Sequence, residues 1–199
     1  MARTPLKIAI VGPQCAGKTT VAQALARYAL RPVTVKFAQP HYDVLALLHQ
    51  PKHRLFMQEF SDVAKRHFGQ GIFVELMRHQ LDQAMATKPD LVLCDDLRYL
   101  AEADLVQDTF FLVYVEAAEA VRQSRATAQG LVFNAQHNSE AELEELKHRA
   151  DFVVVNHGHL DDLHLEAAQV ADTLGLTKPR WWHKAKKFFS DFFIFFVSF

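Results

Sequence analysis

One stretch decides the fold: Gly12-Pro13-Gln14-Cys15-Ala16-Gly17-Lys18-Thr19-Thr20, which matches the pattern G-x-x-x-x-G-K-[ST]. An apolar run over residues 6–11 precedes it and an Ala-rich run over residues 21–26 follows it, so the loop joins a buried strand to a helix. Backbone N–H groups in such a loop converge on phosphate oxygens, and the helix dipole adds to the attraction. We expect all nine residues to line a triphosphate site, with Lys18 on the β- and γ-phosphates and the Thr19 hydroxyl at Mg²⁺. A plain turn before a helix would explain Gly12 but not Lys18 and Thr19.

Composition predicts a single domain, since 199 residues of which half are hydrophobic can bury one sizeable core. The net charge is −1, and residues 1–179 alone carry 18 basic and 22 acidic residues, or −4. Without a basic field, a nucleic-acid partner is not favoured. Two cysteines, Cys15 and Cys94, form no disulfide framework, and the chain leads directly into its first strand. We therefore expect a cytoplasmic protein.

Strands and helices alternate along the chain. Apolar runs predict strands over residues 6–11, 33–37, 91–94, 109–115 and 152–155. Periodic segments predict helices over residues 19–30, 42–48, 54–67, 73–86, 99–106, 118–127, 139–149 and 161–174. This order is typical of a three-layer α/β fold, in which helices cover both faces of a five-stranded parallel sheet.

The third predicted strand runs directly into Asp95-Asp96-Leu97-Arg98. A strand that ends in acid beside a phosphate loop is a common way to hold Mg²⁺ through carboxylate and water. We favour Asp96 as the acid and keep Asp95 as second choice, because a strand boundary can shift by a residue. The alternative, a turn or helix cap, is disfavoured because an arginine, Arg98, follows two residues later.

Together these segments resemble a known family. Residues 6 to about 175 are similar to the phage-type deoxynucleoside monophosphate kinases, within the P-loop nucleoside and nucleotide kinases. Four segments carry this resemblance: Phe37-Ala38 after the second strand, Asp96-Leu97-Arg98 with Glu102-Ala103, His137-Asn138-Ser139-Glu140, and Asn156-His157-Gly158 after the last strand. A dense arginine lid of the adenylate-kinase kind is not found; Arg122 and Arg125 precede a weakly basic segment.

The resemblance implies transfer of the ATP γ-phosphoryl group to a (deoxy)nucleoside monophosphate, with Mg²⁺. It implies a domain over residues 1–179, with acceptor-side helices over about 40–88 and a lid over about 122–140. The implied catalytic residues are Lys18, Asp96, Arg98 and Arg125, and the implied metal ligands are Thr19, Asp95 and Asp96. Acceptor-side residues would be Phe37, Ala38, Arg54, Gln58, Phe73 and Arg98, and donor-side residues Asn156 and Gly158. Of the arginines on predicted helices, we favour Arg54 for binding phosphate on the acceptor side and Arg125 on the lid side. Arg66 and Arg122 are the alternatives.

The C-terminal segment, residues 180–199, has a different character. On a helix, residues 181–199 would gather nine aromatic side chains on about half of the circumference, bordered by lysines. Twelve residues from Phe188 make about 18 Å of helix, too short for a hydrocarbon core of about 30 Å. We expect the aromatic face to contact a membrane surface or a partner, or to pack on its own domain or in a homodimer; a segment without fixed structure is a further alternative.

Two other functions fit the same residues. One is a P-loop kinase that phosphorylates a modified base in phage DNA. The other is a nucleotide-dependent protein that binds a membrane or partner through residues 181–199 and turns over little.

Overall fold

A computed structural model describes residues 4–131, 133 and 142–176, apart from the side chain of Arg54. Five parallel strands form one sheet in the order β2-β3-β1-β4-β5. The strands are β1 (Leu6–Val11), β2 (Pro32–Val35), β3 (Leu91–Cys94), β4 (Phe111–Glu116) and β5 (Phe152–Val155). The described helices are α1 (Lys18–Ala26), α2 (Gln39–Leu47), α3 (Arg54–Phe68), α4 (Ile72–Ala86), α5 (Leu100–Val106), α6 (Glu119–Ala128), α7 (Leu143–His148) and α8 (Leu160–Thr173). The predicted α/β architecture is confirmed.

Strand β1 lies at the centre of the sheet and is buried on both faces. Ile8 and Ile10 pack against α1 and α8 on one face, while Ala9 and Val11 face the layer of α4, α5 and α7. All four side chains have no exposed surface. Burying one large aliphatic side chain stabilises the fold by about 1.5–3 kcal/mol. Because the side chains of β1 enter both cores, this strand is packed into the sheet from both faces.

The strand register brings the predicted site segments to one edge of the sheet. Ala9 of β1 pairs with Cys94 of β3, so the phosphate loop and Asp95 emerge side by side. On the other flank, Val11 pairs with Tyr114 of β4. Because the strands are parallel, all their carboxyl ends face the same side, where open α/β sheets bind ligands.

Two predicted elements end earlier than expected, and distant side chains accept N–H groups of the segments that follow them. Strand β2 ends at Val35: the N–H of Lys36 donates to Gln80 at 3.3 Å and that of Phe37 donates to Asp96 at 3.0 Å. Helix α1 ends at Ala26, after which the N–H groups of residues 27–29 donate to carbonyls three residues back in a tighter turn. The N–H groups of Leu30, the last residue of the predicted helix, and of Arg31 donate to the Asp90 carboxylate at 2.8 Å each. The three accepting side chains, Gln80, Asp96 and Asp90, lie far away in sequence, so local patterning does not reveal them.

Helix α3 is the least buried of the long helices. Among its described side chains only Ala64 is fully buried, and Phe68 is 74% exposed. Within the described ranges, no helix has both the length and the apolar character needed to cross a bilayer. The predicted lid segment His137–Glu140 and the aromatic segment 181–199 lie outside the described residues.

The close approach of β4 to the phosphate loop predicts that Gly12→Ala destabilises the fold. Gly12 has a φ of 147°, and a Cβ there would lie 2.3 Å from the Val115 carbonyl oxygen. Overpacking and backbone strain together should lower the free energy of unfolding by roughly 3 kcal/mol or more. Chemical denaturation would measure the loss.

Gly130→Ala is the matched control. Gly130 also has a positive φ, 64°, but a Cβ there would meet nothing within 4 Å. The free energy of unfolding should therefore fall by only about 1 kcal/mol, the cost of a positive φ at a residue with a Cβ. Equal losses in the two variants would contradict the role assigned to the Val115 contact.

Candidate functional site

The phosphate loop has the backbone shape that its glycines allow. Gly12 and Gly17 have φ angles of 147° and 107°, and Cys15 has a φ of 61°. Gly17 lies at the N-cap of α1, so the loop ends on the positive end of that helix. A Cβ at Gly17 would lie 2.5 Å from Asn156 Nδ2, so both glycines are also required by close neighbours. Such a loop at a helix N-terminus is suited to binding an anion.

Lys18 folds back over the loop. Its Nζ donates to the carbonyl oxygens of Gly12 at 2.6 Å and Pro13 at 2.9 Å. The ammonium group is thus held on the rim of the loop, where it can reach a bound phosphate.

Thr19 connects the loop to the end of β3. Its Oγ1 donates to Asp95 Oδ2 at 2.9 Å, and Asp95 Oδ1 forms an ion pair with Lys36. The Asp95 side chain is only 3% exposed, whereas that of Lys36 is 29% exposed. Hydroxyl and carboxylate oxygens are the ligands that Mg²⁺ prefers, so Thr19 and Asp95 fit this ion.

Lys36 is a cation that the sequence analysis did not find. Burial alone would lower its pKa, but the hydrogen bond and charge of Asp95 and the charge of Asp96 raise it above its usual range. Gln80 of α4 fixes the Lys36 backbone: Gln80 Nε2 donates to the Lys36 carbonyl at 3.0 Å, and the Lys36 N–H donates back. Lys36 lies within the predicted second strand and directly after the observed β2, but only the strand order reveals that this strand lies beside β3.

Asp96, our first choice for the acid, is directed to a different part of the site. Its Oδ1 and Oδ2 accept the N–H groups of Phe37 at 3.0 Å and Ala38 at 2.9 Å. Ala38 is the N-cap of α2, so Asp96 anchors the start of the predicted acceptor-side helices. Burial raises the pKa of Asp96, and these two hydrogen bonds partly offset that rise. The carboxylate that meets Thr19 is therefore the second choice, Asp95.

Asn156 and Arg125 brace the loop from behind. Asn156 is 2% exposed, and its Nδ2 donates to the Ala16 carbonyl at 2.7 Å. Arg125 of α6 donates from Nη1 to the Cys15 carbonyl at 3.1 Å and from Nη2 to Asn156 Oδ1 at 2.9 Å. The Gly158 N–H donates to the same Asn156 oxygen at 3.2 Å. These contacts hold the loop; a catalytic role for Arg125 and donor-base contacts for Asn156 and Gly158 stay predictions.

Glu102 organises the segment around Arg98. Its Oε2 accepts the backbone N–H groups of Arg98 at 2.7 Å and Tyr99 at 3.2 Å. Burial raises the pKa of Glu102 from its usual 4.5 to about 7, against the opposing effect of these hydrogen bonds. Arg98 itself is exposed, and Lys65 of α3 lies 5.1 Å from the Tyr99 ring centroid.

The other predicted acceptor residues lie on or beneath the α2–α4 arm. Phe73 is buried and stacks on His41 with a centroid distance of 4.9 Å, so it supports the arm from within. His41 Nε2 and Ser61 Oγ lie 2.6 Å apart, and burial lowers the His41 pKa, so its ring is neutral at neutral pH. Gln58 lies exposed on α3, and Arg54 begins that helix with a side chain outside the described atoms.

A protein-family model described as an AAA domain matches residues 7–149. The chain belongs to this AAA domain family. The match covers the phosphate loop, Lys36, Asp95, Asp96 and α6, and it ends before Asn156. No curated protein sequence matches the chain.

Solved structures with this fold include small P-loop kinases. Shikimate kinase from Bacteroides thetaiotaomicron superimposes with a TM-score of 0.57 at 15% identity, covering 86% of this chain and 99% of that one. Dephospho-CoA kinase from Campylobacter jejuni gives 0.52 at 14% identity, covering 84% and 96%. The Deinococcus radiodurans tunicamycin resistance protein gives 0.56 at 18% identity, covering 87% and 98%. At these identities the likeness establishes the P-loop kinase fold.

The raised pKa of Glu102 predicts a pH-dependent stability difference. The folded protein binds this proton more tightly than the unfolded chain, so the free energy of unfolding should fall as pH rises from 4.5 to about 7. Glu102→Gln keeps an acceptor for the Arg98 and Tyr99 N–H groups but does not titrate. The melting temperature of the variant minus that of the parent protein should therefore increase from pH 4.5 to about 7, as measured by thermal denaturation.

The other titrating groups are common to both proteins and cancel in the difference. A difference in melting temperature that is constant with pH would contradict a raised Glu102 pKa.

Proposed function

We propose that the protein is an ATP- and Mg²⁺-dependent phosphotransferase whose acceptor is a nucleoside monophosphate, most naturally a deoxynucleotide. The observation that carries the proposal is the 2.9 Å hydrogen bond from Thr19 to Asp95, which joins the phosphate loop to the end of β3. A P-loop threonine beside a strand-end aspartate is the arrangement by which such proteins hold Mg²⁺ against the β- and γ-phosphates.

The proposed roles follow the geometry. The loop from Gly12 to Thr20 would bind the triphosphate, with Lys18 at the β- and γ-phosphates. Thr19 and Asp95 would hold Mg²⁺, which neutralises phosphate charge when bound. Asp96 would act by positioning Phe37 and Ala38, the start of the acceptor arm, rather than as a metal ligand.

Transfer to a monophosphate needs positioning more than proton abstraction. An acceptor phosphate oxygen forms a bond to the γ-phosphorus, the bond to the β–γ bridging oxygen breaks, and ADP leaves with that electron pair. The acceptor oxygen is already anionic at neutral pH, so no general base is required. Arg98, exposed and held at its backbone by Glu102, is suited to binding the acceptor phosphate. Arg54 and Gln58 would face the acceptor from α3, and Phe73 would support the α2–α4 arm from within.

A second candidate is phosphorylation of a hydroxyl group on a modified base in DNA. The pKa of Glu102, raised to about 7, favours it, since a hydroxyl nucleophile needs a carboxylate able to take a proton near neutral pH. The charge of −4 over residues 1–179 argues against a long duplex footprint.

An acceptor panel would decide between the two. With Mg·ATP and the eight common ribo- and deoxynucleoside monophosphates, we expect a nucleoside diphosphate from at least one acceptor, read by product chromatography. ATP binding without any diphosphate would refute the nucleotide-kinase proposal, and label transfer to hydroxymethylated duplex alone would select the second candidate.

Substitutions should separate the roles of the two neighbouring aspartates. Lys18→Ala should abolish transfer to every acceptor, and Asp95→Asn should lower kcat roughly 10²–10³-fold, because phosphate charge is left uncompensated in the transition state. Asp96→Asn should chiefly raise the acceptor KM, because its NH2 group replaces one of the two carboxylate oxygens and cannot accept the Phe37 or Ala38 N–H that faces it. Steady-state kinetics would measure these effects. Loss of kcat confined to Asp96→Asn would reverse the assignment.

A further inference from the structure

Both carboxylate oxygens of Asp95 are engaged by donors from two different segments. Oδ2 accepts the Thr19 hydroxyl, and Oδ1 is paired with the Lys36 ammonium group. With only 3% of its side chain exposed, Asp95 has almost no access to water, so Lys36 compensates its charge. An ammonium group and a divalent cation at one carboxylate repel each other, so Lys36 and Mg²⁺ compete for Asp95.

Lys36 is the partner that is free to leave. Its side chain is 29% exposed, whereas its backbone is fixed by the two hydrogen bonds with Gln80. The Lys36 ammonium can therefore swing on its flexible stem while the end of β2 stays in place. Thr19, at the second position of α1, is held by the helix.

The released ammonium group needs a new anion. The neighbouring carboxylate, Asp96, already accepts the N–H groups of Phe37 and Ala38 through both oxygens. Phosphate oxygens of a nucleotide in the Gly12 to Thr20 loop would lie on the same side of the sheet, because β1, β2 and β3 are parallel and adjacent. Phosphate is thus the anion available to Lys36 once a metal ion holds Asp95.

We propose that Lys36 exchanges one anionic partner for another. In the metal-free protein its ammonium group is paired with Asp95; when Mg²⁺ binds that carboxylate, the Lys36 side chain moves and its ammonium group pairs with a phosphate of the bound nucleotide. The inference rests on the proposed nucleotide and Mg²⁺ site and adds a phosphate-binding residue to it. Gln80 is the positioning residue, since it fixes the point from which the Lys36 side chain swings.

The exchange predicts opposite effects of Lys36→Met on two binding constants. In the nucleotide-free protein, Mn²⁺ binding followed by electron paramagnetic resonance should become roughly tenfold tighter, because the competing ammonium group is gone. With saturating Mg²⁺, which compensates Asp95 in both proteins, ADP binding measured by calorimetry should become roughly tenfold weaker, because a charge-assisted contact to phosphate is lost.

Two variants serve as controls. Lys36→Gln retains a hydrogen-bond donor for Asp95 without the charge, and it should show the same pair of effects if Lys36→Met folds poorly. Lys7→Met removes a lysine at the start of β1, the end away from the loop, where Lys7 lies over the Phe110 ring at 5.8 Å. It should leave both constants within about twofold of the parent values, since a solvent-screened charge at the opposite end of β1 from the site contributes little.

Three outcomes would overturn the exchange: unchanged Mn²⁺ binding, weaker ADP binding without tighter Mn²⁺ binding, or no detectable Mn²⁺ binding by either protein. The second would make Lys36 a fixed phosphate ligand. Both expected shifts, together with no phosphorylation of any acceptor by the parent protein, would support the exchange and overturn the proposed phosphotransferase.

Discussion

The hydrogen bond between Thr19 and Asp95 links residues 76 positions apart in sequence, and the rest of the candidate site is arranged around it. It can form only because β1 and β3 are neighbours, with Ala9 opposite Cys94, so that the segments following them leave the sheet together. Burial of β1 on both faces keeps it next to β3 in the sheet. Packing in the two cores thus determines the distance between a loop hydroxyl and a strand-end carboxylate.

Two adjacent aspartates serve two different parts of the molecule. Successive residues that leave a strand point in different directions, so Asp95 turns toward the loop while Asp96 turns toward the start of α2. One carboxylate contacts the phosphate loop and the other holds the start of α2. A single short segment, Asp95-Asp96, therefore ties the phosphate loop to the α2–α4 helices.

The sequence predicted the elements well because their signals are local. The apolar run Leu91–Cys94 and the loop pattern at Gly12 to Thr20 need no knowledge of distant residues. Local sequence could not decide which of Asp95 and Asp96 contacts the phosphate loop, and it did not indicate that Lys36 belongs to the site. They depend on strand order and on side chains such as Gln80, 44 residues away from Lys36, that replace backbone partners. Side chains from distant residues likewise accept the N–H groups just after β2 and those of Leu30 and Arg31.

The brace behind the phosphate loop has a mechanical consequence. Arg125 is anchored to Cys15 and to Asn156, so this point of α6 cannot move without carrying the loop or breaking several hydrogen bonds. The last turn of α6 and the phosphate loop are therefore held as one unit by side-chain hydrogen bonds, so a shift of Arg125 would be passed directly to the loop backbone at Cys15.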